Sequence, residues 1–165
     1  MATFYTHTFT KYDHYETPAY AWAQIAHLIP PDTTIWEPFF CTGSSGAHLQ
    51  DLGFNVIHED VDFFEHDKGD IIVSNIPFSM KKEVLTRLKE IDKPFIIISP
   101  ASTLTTKYLY ELFKDELQIV IPPKRIQFIR DGIAQGSCNF DCFYYCRNIG
   151  LPQDITFLTR HTKTV

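Results

Sequence analysis

The chain has 165 residues, 44% hydrophobic and 15% aromatic, which suits one domain with a packed core and excludes a disordered chain. A formal net charge of −5 argues against gripping duplex nucleic acid over a broad basic face. Any such contact must be small and local, or be completed by a partner.

The longest apolar runs, such as 95–98, fall far short of a membrane span. The N-terminus lacks a basic-then-apolar leader, so an intracellular protein, cytoplasmic or nuclear, is expected. Residues 1–14 read as an aromatic, Thr-rich N-terminal arm, and residues 15–165 as a single domain without a separate target-recognition domain. Phe4, Tyr5, Phe9 and Tyr12 of the arm are candidates for contact with a second copy or a partner subunit.

Thr17 is a good N-cap and Pro18 a good first helical residue. Trp22, Ile25, Ala26 and Ile29 follow at helical spacing, and Pro30-Pro31 ends the predicted helix. Residues 33–37 read as a short strand, 38–46 as its exit loop, and 47–52 as a helix closed by Gly53. This is the opening half of a nucleotide-binding βαβ unit. The full Gly-x-Gly-x-x-Gly run is missing, which disfavours a pyrophosphate site. Glu37 instead places an acid at the strand end, suited to a cationic amine.

Residues 55–58 form the second predicted strand, followed by Glu59, Asp60 and Asp62. An acid at the end of such a strand commonly takes ribose hydroxyls. Asp60 is the preferred candidate and Glu59 its competitor.

Asp70 to Val73 read as a buried strand that stops abruptly at Asn75-Ile76-Pro77-Phe78. In open α/β sheets, chemistry sits beyond the carboxyl ends of strands. Asn75 offers a side-chain carbonyl, the Ile76 carbonyl precedes a Pro that has no N–H, and Phe78 adds a flat apolar face. Two acceptors and a ring suit a planar ligand with an exocyclic amino group.

A helix over 80–90, a strand over 95–100, a helix over 103–113 and a strand over 118–121 complete the alternation. Residues 124–130 alternate polar and apolar like a half-buried strand, with 139–147 as the expected antiparallel partner. Residues 155–158 could add an edge strand. Cys138, Cys142 and Cys146 recur at even spacing in a strand-like segment, where small apolar side chains share one face. The spacing does not suit zinc, and no metal is expected.

Asn75-Ile76-Pro77-Phe78 resembles motif IV of the adenine-N6 (amino) methyltransferases, Asn/Asp/Ser-Pro-Pro-Tyr/Phe, with Ile76 in place of the first Pro. Residues 37–43 resemble motif I, Asp/Glu-Pro-Phe-x-Gly-x-Gly, with Cys41 in the first Gly position. Thr17-Pro18 resembles motif X and Asp62-Phe63 motif III. Small phage and viral members carry a strand similar to Arg125-x-x-Phe128.

The resemblance implies a Rossmann-like methyltransferase fold: α/β, with a mostly parallel seven-stranded sheet, helices on both faces and a late antiparallel strand. It implies S-adenosyl-L-methionine as cofactor, held by Thr17, Pro18, Glu37, Phe39, Gly43, Glu59, Asp60, Asp62 and Phe63. The implied activity is transfer of a methyl group to the N6 amino group of adenine in nucleic acid, DNA first, at Asn75, Ile76, Pro77 and Phe78. Lys81, Arg125 and Phe128 are the implied substrate contacts. RNA as substrate, and a degenerate cofactor-binding or scaffolding subunit, are the alternatives. A homodimer or a partner subunit would supply target recognition.

Overall fold

The computed structural model describes residues 15–134 and 141–159. The N-terminal arm and Cys138 lie outside the described residues. Strands β1 (Thr34–Trp36), β2 (Asn55–Ile57), β3 (Ile71–Asn75), β4 (Phe95–Pro100) and β5 (Leu117–Ile121) alternate with helices. These are α1 (Ala19–Ala23), α2 (Ser44–Asp51), α3 (Lys81–Ile91) and α4 (Lys107–Phe113). A small hairpin follows, β6 (Ile129–Arg130) with β7 (Ile133–Ala134), and then β8 (Cys142–Arg147) and β9 (Ile155–Phe157).

The main sheet has seven strands in the order β2-β1-β3-β4-β8-β5-β9. All neighbours are parallel except β8, which runs antiparallel to both β4 and β5. Strand alternation divides the core between the two faces. Ile71, Val73, Ile96, Ile98, Cys142, Tyr144 and Cys146 pack with Trp22, Ile25 and Leu49 of the α1–α2 side. Ile72, Phe95, Ile97 and Tyr145 pack with Val84, Leu85, Leu88, Leu109 and Phe113 of α3 and α4. The even-spaced Cys142 and Cys146 are therefore both buried in the core, and the described residues hold no metal-ligating cluster. No described helix is long and apolar enough to cross a membrane.

Among the described residues, the expected pairing of 124–130 with 139–147 does not form. β8 has a continuous buried run and fills the gap between β4 and β5, where both of its edges are hydrogen-bonded. Ile126 and Phe128 keep the predicted alternation by burying into the core, but among the described residues their segment pairs only at its end. There Ile129 exchanges backbone hydrogen bonds with Glu16 at 2.7 and 2.9 Å.

Helix 17–29 is also shorter than its spacing predicts. α1 spans Ala19–Ala23 and a 3₁₀ turn covers Ala26–Leu28. Pro18 (φ −67°, ψ 151°) takes the cap position without a side-chain cap bond. The Thr17 hydroxyl is engaged elsewhere, by Asn75. The predicted helix 103–113 divides because Thr106 caps a new helix, its Oγ1 accepting from Leu109 N–H at 3.3 Å. α2 starts at Ser44, earlier than expected, because Gly43 at φ 84° supplies the left-handed turn before it.

Candidate active site

The carboxyl ends of β1 and β3 and the segment before α1 line a small cavity of about 40 Å³ that opens to solvent. Thr17, Glu37, Phe39 and Asn75 to Phe78 all line it, so the residues matched to motifs X, I and IV share one site. Tyr15, Glu16, Phe40, Cys41, Ser44 and Ser45 complete the wall.

Glu37 is buried at the end of β1. Its Oε1 accepts from Phe39 N–H and from Ser74 Oγ–H, each at 2.7 Å. Burial pushes its carboxyl up to about 8, against the pull of those two donors. A cation in the cavity would reverse that cost. The carboxylate would therefore suit an amine-bearing ligand.

At the end of β3, Asn75 donates from Nδ2 to Thr17 Oγ1 at 2.9 Å. Its Oδ1 is buried with no hydrogen-bond partner. A buried acceptor without a donor costs about 1–3 kcal/mol, a cost that a ligand donor reaching this oxygen would remove. Pro77 turns the chain, and its carbonyl accepts from Met80 N–H at 3.1 Å, which starts the 3₁₀ turn Phe78–Met80 ahead of α3. Phe78 is half-buried and stands edge-on to Phe128, with ring centroids 6.3 Å apart.

Other expected residues fall outside this cavity. Phe63 is buried 5.0 Å from the Phe39 ring and 5.6 Å from the Trp36 ring, so it supports Phe39 from the core and has no free face for a base. Phe128 is fully buried and backs Phe78, with no surface for substrate. Asp62 Oδ1 accepts from Phe64 N–H at 2.9 Å, a local loop bond. Glu59 pairs with Lys68 at 3.2 Å, and Asp60 is exposed beside it in the loop after β2. Arg125 pairs with Asp141 at 2.6 Å, and Lys81 is half-buried at the start of α3. Pro18 is buried, and Gly43 lies over the Phe40 ring.

Ser74 and Glu16 carry contacts that the sequence did not flag. The signal for Ser74 was present, since it is a hydroxyl inside an otherwise apolar run, and it is fully buried. Glu16 gave no signal, because its position depends on backbone pairing with distant Ile129.

Cys41 stands in the left-handed region at φ 47°, where motif I has glycine. That conformation costs a non-glycine residue ~1–2 kcal/mol. Cys41→Gly is expected to raise stability by about 1 kcal/mol, a gain of ~2–4 °C in thermal midpoint for a chain of this size. Cys41→Ala should give no such gain. Calorimetric melting of the three proteins checks this.

Residues 46–121 match the adenine-specific methyltransferase EcoRI family. The matched stretch runs from α2 to β5 and includes Asn75 to Phe78. The resemblance of this segment to adenine methyltransferases stands. The type II methyltransferase M.EcoRI of Escherichia coli is 39% identical over 57 residues, covering 34% of this chain. The matched part is 17% of that relative's length.

Among solved structures, a protein of Listeria monocytogenes assigned as a class I S-adenosylmethionine-dependent methyltransferase superposes with a TM-score of 0.50. The match has 11% identity and covers 92% of this chain and 67% of that one. A Pyrococcus horikoshii protein assigned as an RNA methyltransferase gives 0.49 at 11% identity, over 87% and 89% of the two chains. The fold is the Rossmann-like methyltransferase fold, with the antiparallel strand inside the sheet.

Proposed function

We propose that this protein transfers a methyl group from S-adenosyl-L-methionine to the N6 amino group of adenine in nucleic acid, with DNA the first choice. The unpartnered, buried Oδ1 of Asn75 carries this reading. The match of residues 46–121 to an adenine-specific family supports it independently.

The adenine amino nitrogen is a weak nucleophile because its lone pair is delocalised into the ring. Asn75 Oδ1 and the Ile76 carbonyl would accept its two hydrogens and localise that pair on nitrogen. The same acceptors stabilise the positive charge that develops as the new bond forms, without reorganising at that moment. Phe78, backed by Phe128, would stack the base and hold its nitrogen in line for attack. Glu37 would take the cofactor's ammonium group, Thr17 its carboxylate and Asp60 its ribose. When bound, the cofactor supplies an activated methyl on a sulfonium. No strong general base is required, since the proton is acidic once the nitrogen is alkylated.

The acidic chain and its small site imply that the base is presented outside a duplex stack, at a cost of a few kcal/mol in double-stranded DNA. Target recognition would come from a second copy or a partner subunit. Methyl transfer from labelled cofactor to matched single-stranded and duplex DNA and RNA checks the substrate. Labelling of adenine in DNA is expected, most readily in single strands. Labelling confined to RNA would move the assignment to RNA, and no labelling of any nucleic acid would refute it.

A further inference from the structure

Thr17 reads from sequence as a helix cap and, through the family resemblance, as a cofactor contact. In the structure it caps nothing. It is 2% exposed, lines the cavity and accepts from Asn75 Nδ2 at 2.9 Å. A hydroxyl also carries one hydrogen to donate, and among the described residues that hydrogen has no acceptor.

The residue is held from both sides. Glu16 exchanges two backbone bonds with Ile129, and Pro18 O accepts from Ala21 N–H at 3.0 Å. α1 is fixed in turn by Tyr144 Oη–H donating to Ala21 O at 2.6 Å, and by Trp22 Nε1–H donating to Ser45 Oγ at 3.2 Å. Thr17 Oγ1 is thus a fixed point in the cavity wall beside the Asn75 corner.

We propose that Thr17 is a positioning residue that couples cofactor occupancy to target binding. Its hydroxyl hydrogen goes to the carboxylate of the bound cofactor, while its oxygen holds the Asn75 amide with Oδ1 turned toward the target amine. The donors then run in one direction: adenine amine to Asn75 Oδ1, Asn75 Nδ2 to Thr17 Oγ1, and Thr17 Oγ1 to the carboxylate. Bonds in such a chain polarise one another. An anion accepting from Thr17 makes its oxygen a better acceptor for Asn75, and that makes Asn75 Oδ1 a better acceptor for adenine. The coupling is reciprocal, as binding linkage requires. This inference rests on the adenine-methyltransferase reading above.

The test measures the affinity of an adenine-containing single-stranded oligonucleotide with and without saturating S-adenosylhomocysteine, alongside single-turnover methylation. In the parent, S-adenosylhomocysteine should tighten oligonucleotide binding about fivefold or more. 5′-Methylthioadenosine, which lacks the amino-acid group, should give no tightening. Thr17→Val should remove the tightening and slow methylation about tenfold at saturating substrates, whereas Thr17→Ser should retain both.

The methylthioadenosine comparison uses the parent protein and does not depend on how the Val variant folds. Equal tightening by both ligands would overturn the coupling, as would a folded Thr17→Val variant that behaves like the parent. A parent that binds both ligands but never methylates adenine would instead overturn the underlying function, and this inference with it. A parent that methylates adenine without any coupling refutes only the inference.

Discussion

Asn75→Ala should slow methyl transfer to adenine by ~10²–10³, the usual loss for one preorganised hydrogen bond to a developing charge. Affinity for S-adenosylhomocysteine should fall far less than the rate, because Asn75 reaches the cofactor only through Thr17. Removing the side chain also frees Thr17 Oγ1 from its 2.9 Å bond, so part of any loss reflects a less ordered corner. Single-turnover rates at saturating cofactor separate this from a binding defect. Asn75→Asp is the informative companion, since it keeps an acceptor in place but removes the amide that donates to Thr17. An alanine variant as fast as the parent would reduce this corner to a turn.

Glu37 gives the second large effect, and its direction follows from burial. Its carboxyl sits at about 8 in the ligand-free protein, so it is mostly protonated at neutral pH. An ammonium group beside it favours the ionised form, and binding must therefore release a proton. Affinity for S-adenosylhomocysteine should rise by about 50-fold between pH 6 and pH 8 and flatten above that.

The ligand-free protein should behave in the opposite sense. The folded carboxyl lies above its ordinary value of 4.5, so the folded state holds the proton longer than the unfolded one. Its contribution to stability is complete below pH 4.5 and is lost as pH rises through about 8. Glu37→Gln keeps an acceptor for Phe39 N–H and Ser74 Oγ–H but cannot ionise. It should flatten both profiles and weaken cofactor binding about 10–100-fold, the loss of one charge-assisted hydrogen bond. Titration calorimetry in buffers of different ionisation enthalpy reads the released proton directly. Enthalpies that are the same in every buffer would contradict this role for Glu37.

The parts of the fold legible in the sequence were those with local causes. The buried runs 71–73 and 95–98 are apolar on both faces, and they became the central strands β3 and β4. Gly53 closed α2, and Pro77 turned the chain out of the sheet before α3. The placement of β8 was not legible. Nothing local distinguishes a strand that pairs with its sequence neighbour from one that enters between β4 and β5, because that choice depends on two open edges elsewhere in the sheet.

The same division holds in the site. Glu37 and Asn75 announce themselves as polar residues at the ends of apolar strands, and the structure brings both into one cavity. Phe63 and Phe128 have the right residue type beside the right motif, yet both are buried as supports for Phe39 and Phe78. Whether an aromatic ring faces a ligand or the core depends on packing from distant segments, which a motif does not carry. The Thr17–Asn75 bond joins positions 58 residues apart and could only be seen once the fold was in place.

The central claim is that the Asn75 corner binds an amino group on a purine. It is tested most directly by locating the transferred methyl. The protein is incubated with methyl-labelled S-adenosylmethionine and oligonucleotides containing adenine, purine (which lacks the 6-amino group) or cytosine at one defined position. The product nucleosides are then resolved by mass spectrometry. The label should appear as N6-methyladenine in the adenine oligonucleotide and be absent from the purine one. A methyl group on a ring nitrogen, or on carbon 5 of cytosine, would contradict the account.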